Sequence, residues 1–204
     1  MEEKQSSWVE RIGEIIETET SFFVAESFVL HRPPALGRLV YVQADDALRT
    51  YGVVCYGTTA SPDPGRRAVR RSTSEIYDDE IYREHPQLQL TLRTEFTVRL
   101  VGCAEQGQIH HYLPPQPPPL HYSVHECSIK EVEQFTGELT YLRLLLSTAE
   151  IPPEQLLAAH IRQVYRARSR DDHWLSLAAR SVAGLFKNDY ERLMTVLYSI
   201  EPSA

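Results

Sequence analysis

Four histidines, His110, His111, His121 and His125, lie close in sequence to Cys103 and Cys127, and imidazole with thiolate is a zinc-compatible donor set. Adjacent residues on a strand point to opposite faces, so His110 and His111 cannot both enter one site on regular backbone. The three cysteines, Cys55, Cys103 and Cys127, are odd in number and too far apart for tight ligand spacing. They read as small buried hydrophobes in a reducing compartment, with no metal and no cofactor expected. No serine lies in a GxSxG turn, and no cysteine has a recognisable activating context. A GxxxxGK[ST] phosphate loop is absent: Ser61-Pro62-Asp63-Pro64-Gly65-Arg66 has neither its glycine spacing nor its lysine. The paired acids Asp45-Asp46, Asp78-Asp79 and Asp171-Asp172 read as a turn, a solvated helix face and a helix start. No residue is assigned a catalytic role, so the chain is not expected to be an enzyme.

Binding chemistry is better represented. Arg66, Arg67, Arg70 and Arg71 follow a proline-glycine turn, and their guanidinium groups could hold an acidic protein surface, a phosphate-bearing ligand or single-stranded nucleic acid. A plainer alternative is that they neutralise Glu75, Asp78, Asp79, Glu80 and Glu84 just downstream. Tyr165 among Arg162, Arg166, Arg168 and Arg170 resembles a stacking site for bases, but helical spacing puts Tyr165 on an apolar stripe and leaves the arginines as the wet side. A formal charge of −7 argues against a surface built throughout to attract phosphate backbones, and a protein partner is favoured over nucleic acid.

The 204 residues, 42% hydrophobic and 24% charged, suit a folded globular protein. The opening MEEKQSSWVERIGEIIE is acidic and polar, and no run approaches a membrane span, so a cytoplasmic protein without membrane insertion is expected.

Apolar residues come in short, alternating runs before Cys127 and recur every three or four residues after it. The expectation is an α+β fold: a small six-stranded closed β-barrel over residues 1–127 and an α-helical region over 128–204. Strands are expected at Arg11–Glu17 and Ser21–Leu30, paired as a hairpin, and at Gly37–Gln43 and Thr50–Thr58, paired likewise. Two more are expected at Thr94–Cys103 and Leu120–Cys127. In Thr94–Cys103, Phe96, Val98 and Leu100 face one way, and Thr97 and Arg99 face a wet side. The strand-associated glycines Gly13, Gly37, Gly52, Gly57 and Gly102 favour strong coiling and closure. A short inserted helix within residues 74–90, capped by Ser74 and covering Glu75–His85, is expected to plug one barrel end with Ile76, Tyr77, Ile81 and Tyr82. The run Pro114–Pro119 is an extended surface connector.

Ser128 and Glu131 match a capping box for a helix stopping at Gly137, and Leu139–Leu146 is helical by context. Further helices are expected at Glu154–Arg168, from Asp171 or Asp172, and from near Asp189, with stripes that suit a bundle packed on itself or on the barrel.

The strand-opening GRLVYV, the YGVV strand with PGRR after it, HPQLQLTLRTEF and the later YLPPQPPPLH together resemble the HAS-barrel family over roughly the first three fifths of the chain. That barrel is shared by the N-terminal domains of HerA-type DNA translocases and of rotary ATP synthase catalytic-ring subunits. The chain is more narrowly similar to stand-alone HAS-barrel proteins of cyanobacteria and plastid-bearing lineages, which lack an ATPase module. The resemblance implies assembly rather than chemistry: a non-catalytic adaptor or scaffold docking on a larger complex such as a ring ATPase, with Arg66, Arg67, Arg70 and Arg71 as partner-binding residues. The alternative is a DNA-associated accessory barrel related to HerA-type translocase systems.

Overall fold

The structure, a computed structural model, describes residues 11–63, 65 and 67–200. Its strands are β1 (Arg11–Thr18), β2 (Phe22–Ser27), β3 (Leu39–Gln43), β4 (Leu48–Ala60), β5 (Arg93–Glu105), β6 (Gln108–His110) and β7 (Ser123–Glu126). Six of them bond antiparallel in the ring β1–β2–β5–β4–β3–β7, which closes through β7–β1, while β6 adds to the far end of β5. The fold is therefore α+β, a closed six-stranded barrel with one extra strand, followed by helices.

Closure follows from local irregularity. Register shifts at Arg11/Gly13, Ile15/Glu17, Tyr51/Gly52 and Val54/Tyr56 bend the strands where a regular ladder would run flat. At Gly52 a Cβ would stand 2.3 Å from Val98 Cγ1, so only glycine lets β4 and β5 approach this closely. The two expected hairpins, β1–β2 and β3–β4, are present. Pairing of the last strand begins before β7 itself, since the Ile15 amide donates to the Tyr122 carbonyl and the His121 amide to the Ile15 carbonyl.

Alternation along the wall feeds two cores. In β3, Val40 and Val42 turn into the barrel with Ile15, Phe23, Phe96, Val98 and Val124, whereas Leu39 and Tyr41 turn outward. Outward residues, including Val53, Cys55 and Val101, meet a helical layer formed by α3 (Ile129–Phe135), a 3₁₀ helix (Thr140–Ser147), α4 (Pro153–Ala167), α5 (Asp172–Leu185) and α6 (Tyr190–Ile200). Burying each such side chain contributes roughly 1.5–3 kcal/mol, which makes this shared layer a main source of stability. The Ser128–Glu131 capping box forms as read, and Asp171 caps α5 by accepting from the Trp174 amide.

Burial corrects one expectation: Thr97 and Arg99 do not face water. Both are buried. Arg99 donates to Ser21 Oγ at 3.1 Å and lies 3.9 Å from Glu150. The inserted helix is also different. Thr73 Oγ1 accepts from the amides of Glu75 and Ile76, a turn that competes with helix start, and Asp78 takes φ 50°. Only α1 (Asp79–Glu84) and α2 (Leu88–Thr91) follow, and neither buries a residue, so they plug nothing. The barrel end is instead crossed by the loop between β2 and β3: Pro33 packs 3.3 Å from the Cβ direction of Gly57, on the inward side Gly57 shares with its partner Phe96. Pro114 and Pro118 in the proline run are buried, and Pro115 to Pro117 are exposed.

Candidate docking surface

β4 outlasts β3. Its final residues, Tyr56–Ala60, continue pairing with β5 down to Arg93, and the chain then leaves at Ser61 into the arginine loop. Asp63 Oδ1 accepts from the Gly65 amide at 3.0 Å and tightens the turn before the arginines. Arg66 lies outside the described residues. Arg67, Arg70 and Arg71 are exposed, outside any helix or strand.

Arg67 and Arg71 line a cleft of about 420 Å³ whose opposite wall is Ile81, Tyr82, Leu88 and Leu92 from the α1–α2 insert. Tyr82 anchors that wall, its hydroxyl 2.6 Å from His31 Nε2 with the rings edge to face. The cleft is lined by arginines together with apolar side chains, suited to a segment carrying both carboxylates and apolar side chains. Sequence reasoning does not find Leu88, Thr91 and Leu92 as part of it. Their signal is the apolar spacing after Pro86, which folds into a separate short helix.

Among the described residues no ion pair joins Arg67, Arg70 or Arg71 to Glu75, Asp78, Asp79, Glu80 or Glu84. Arginines elsewhere are engaged: Arg38 pairs with Glu126, Arg49 with Glu131, Arg93 with Glu26 at 3.3 Å and Arg192 with Glu154. The loop cations thus differ from these four, which are held by carboxylates.

The other candidates fall into structural roles. His110 stacks on Tyr112, His111 bonds the Phe135 carbonyl and Thr140, His121 pairs with Glu14, and His125 stacks on Tyr41. Among the described residues no group of three or more His, Cys, Asp or Glu side chains could hold a metal ion. Burial pushes the Cys55 and Cys103 thiols up to about 11 and Cys127 further from its usual range, which disfavours thiolate chemistry. Asp45 Oδ1 accepts from the amides of Ala47 and Leu48, as a turn acid does. Tyr165 packs against the outer core and donates to Asp172 at 2.6 Å, while Arg162 bonds the Ser199 carbonyl and Arg168 the Glu133 carbonyl. That cluster offers no open stacking platform.

Among the described residues no helix is long and apolar enough to cross a membrane. No protein-family model matches the chain, and no curated protein matches it.

Proposed function

We propose that this chain is a non-catalytic adaptor or assembly protein, working in the cytoplasm, that docks on a larger complex through the arginine loop. The observation that carries this reading is that exposed Arg67, Arg70 and Arg71 have no acidic partner among the described residues, and that two of them line a cleft together with apolar side chains. An acidic segment is the occupant with matching charge. The barrel supports membership of the HAS-barrel family, on the motifs quoted above, and a ring ATPase is then the partner class to test. Buried thiols held far from ionisation, together with histidines already engaged by neighbouring side chains, favour a binding role over a catalytic one.

Affinity purification from the native cell at low ionic strength, with mass spectrometry of co-eluting chains, tests this. Subunits of a ring ATPase or another large assembly support the adaptor reading. Elution of the protein alone counts against it. Retention of DNA at low salt, lost when Arg66, Arg67, Arg70 and Arg71 are changed together, would favour the DNA-associated accessory barrel instead.

A further inference from the structure

β3 reaches only the first half of β4. The last bonds across that seam are from the Gly37 amide to the Val54 carbonyl and from the Val54 amide to the Arg38 carbonyl. Beyond them, Tyr56–Ala60 is hydrogen-bonded on its β5 side, while on its other side no backbone partner is present among the described residues. Among the described residues this stretch of the ring is an open edge.

Exposed edges are usually guarded by charge, proline or brevity, because unpaired amides and carbonyls template the pairing of another strand. This one carries no such guard of its own, and Pro33 of the β2–β3 loop lies against the face of Gly57 rather than along the bonding edge. Its sequence, Tyr56-Gly57-Thr58-Thr59-Ala60, has no charged residue and no proline, and both threonines favour extended backbone. The bulge at Val54/Tyr56 lies at the start of the edge, and pairing with β5 then runs regularly from Tyr56↔Thr97 to Ala60↔Arg93. Tyr56 is 43% exposed, a large side chain offered on the outer face.

Charge says what would fit. The edge runs directly into the loop carrying Arg67, Arg70 and Arg71, none of which has an acidic partner among the described residues, in a chain whose formal charge is −7. A strand added along β4 would bring its end near Ala60 to this loop, where carboxylates would be met by guanidinium groups. We infer that the free edge of β4 from Tyr56 to Ala60 receives an extended, acidic-ended segment of a partner protein as an added strand, with Arg67, Arg70 and Arg71 gripping its carboxylates. This deepens the adaptor reading above and rests on it.

The probe is a fluorescein-labelled peptide of four acidic residues followed by six alternating valines and threonines, titrated by fluorescence anisotropy at low salt. Two companions carry N-methyl groups at alternate residues of the valine-threonine half, in opposite phase. Only one phase of an added strand turns its amides toward β4. One companion should therefore bind about tenfold or more weakly and the other like the parent, because lost backbone bonds act on one side only. The exposed-loop variant R67E/R70E/R71E should lose the parent peptide as well. Equal binding of both companions overturns strand addition and leaves acidic docking standing. Failure of the parent to bind at about 1 mM overturns both. Light scattering that shows a stable dimer, with the β4 amides protected from exchange without peptide, assigns the edge to a second copy of this chain and overturns the partner strand.

Discussion

His160 and Gly37 are bonded across the seam between helical layer and barrel. The fully buried imidazole donates from Nδ1 to the Gly37 carbonyl at 2.7 Å and accepts at Nε2 from the Tyr141 hydroxyl at 2.9 Å. A carbonyl only accepts, so the pair of partners assigns the neutral tautomer with its proton on Nδ1. One side chain in α4 thereby ties the start of β3 to the 3₁₀ helix.

Acid should loosen this seam. Burial lowers the His160 pKa from 6.5 to about 4, so the folded state holds it neutral while the unfolded chain takes up a proton first. Its contribution is complete above pH 6.5 and is lost as pH falls from there toward 4. The loss amounts to about 3 kcal/mol by linkage. His111, also lowered by burial, acts in the same direction. Urea unfolding at half-unit steps between pH 7.5 and 4.5 should show midpoints falling with acidification; a flat profile contradicts the assignment.

Gly37→Ala should be among the most damaging single substitutions. Gly37 has φ 81°, and a Cβ there would stand 2.4 Å from the His160 backbone nitrogen. Strain and overlap add, giving a loss of at least about 2 kcal/mol. Chemical denaturation of the variant would read this directly, and a loss under half that size would mean the seam gives way easily.

Trp174→Phe isolates a single hydrogen bond at the other end of the layer. The indole Nε1 donates to the Thr136 carbonyl at 2.8 Å, where α3 ends, and Arg168 lies over the ring. Phenylalanine keeps part of the apolar volume and orphans the carbonyl, for a cost of about 1–3 kcal/mol. Arg168→Lys should cost stability as well, since the guanidinium, only 17% exposed, bonds the Glu133 carbonyl and the Thr136 hydroxyl and pairs with Asp171.

Thiol reactivity offers a check on burial. Cys55, Cys103 and Cys127 are all free and buried, with pKa values raised above the ordinary thiol range chiefly by burial. An aromatic disulfide reagent at pH 8 should titrate no thiol in the native protein and all three in denaturant. Fast reaction of a native thiol would show that a wall of the outer core opens readily.

All six ring strands were legible as short apolar runs, and the Ser128–Glu131 and Asp171 caps were legible as side-chain chemistry. Ring order was not. Placement of β7 between β1 and β3, and closure of β2 on β5, join segments far apart in the chain that carry no local mark of each other. Alternation in β5 located its inward face, but it could not show that Thr97 and Arg99 on the other face are buried too, with Glu150 from far along the chain beside Arg99. β6 had a usable signal, since Gln106-Gly107, with φ 50° and 84°, is a two-residue hairpin turn. The arginine loop was visible as a cluster. Its cleft and the free edge beside it were not, because one needs the α1–α2 insert folded back and the other arises from the unequal lengths of β3 and β4.

The decisive experiment compares wild type with R67E/R70E/R71E, both affinity-tagged, by quantitative mass spectrometry of what each retains from native cells. The three side chains are exposed and outside every ion pair among the described residues, so the variant should keep its unfolding midpoint, with stability changed by about 0.5 kcal/mol or less. The account predicts a defined set of acidic partner chains enriched on the wild type and lost from the equally stable variant. The same proteins on both baits, or none on either, would contradict docking through this loop.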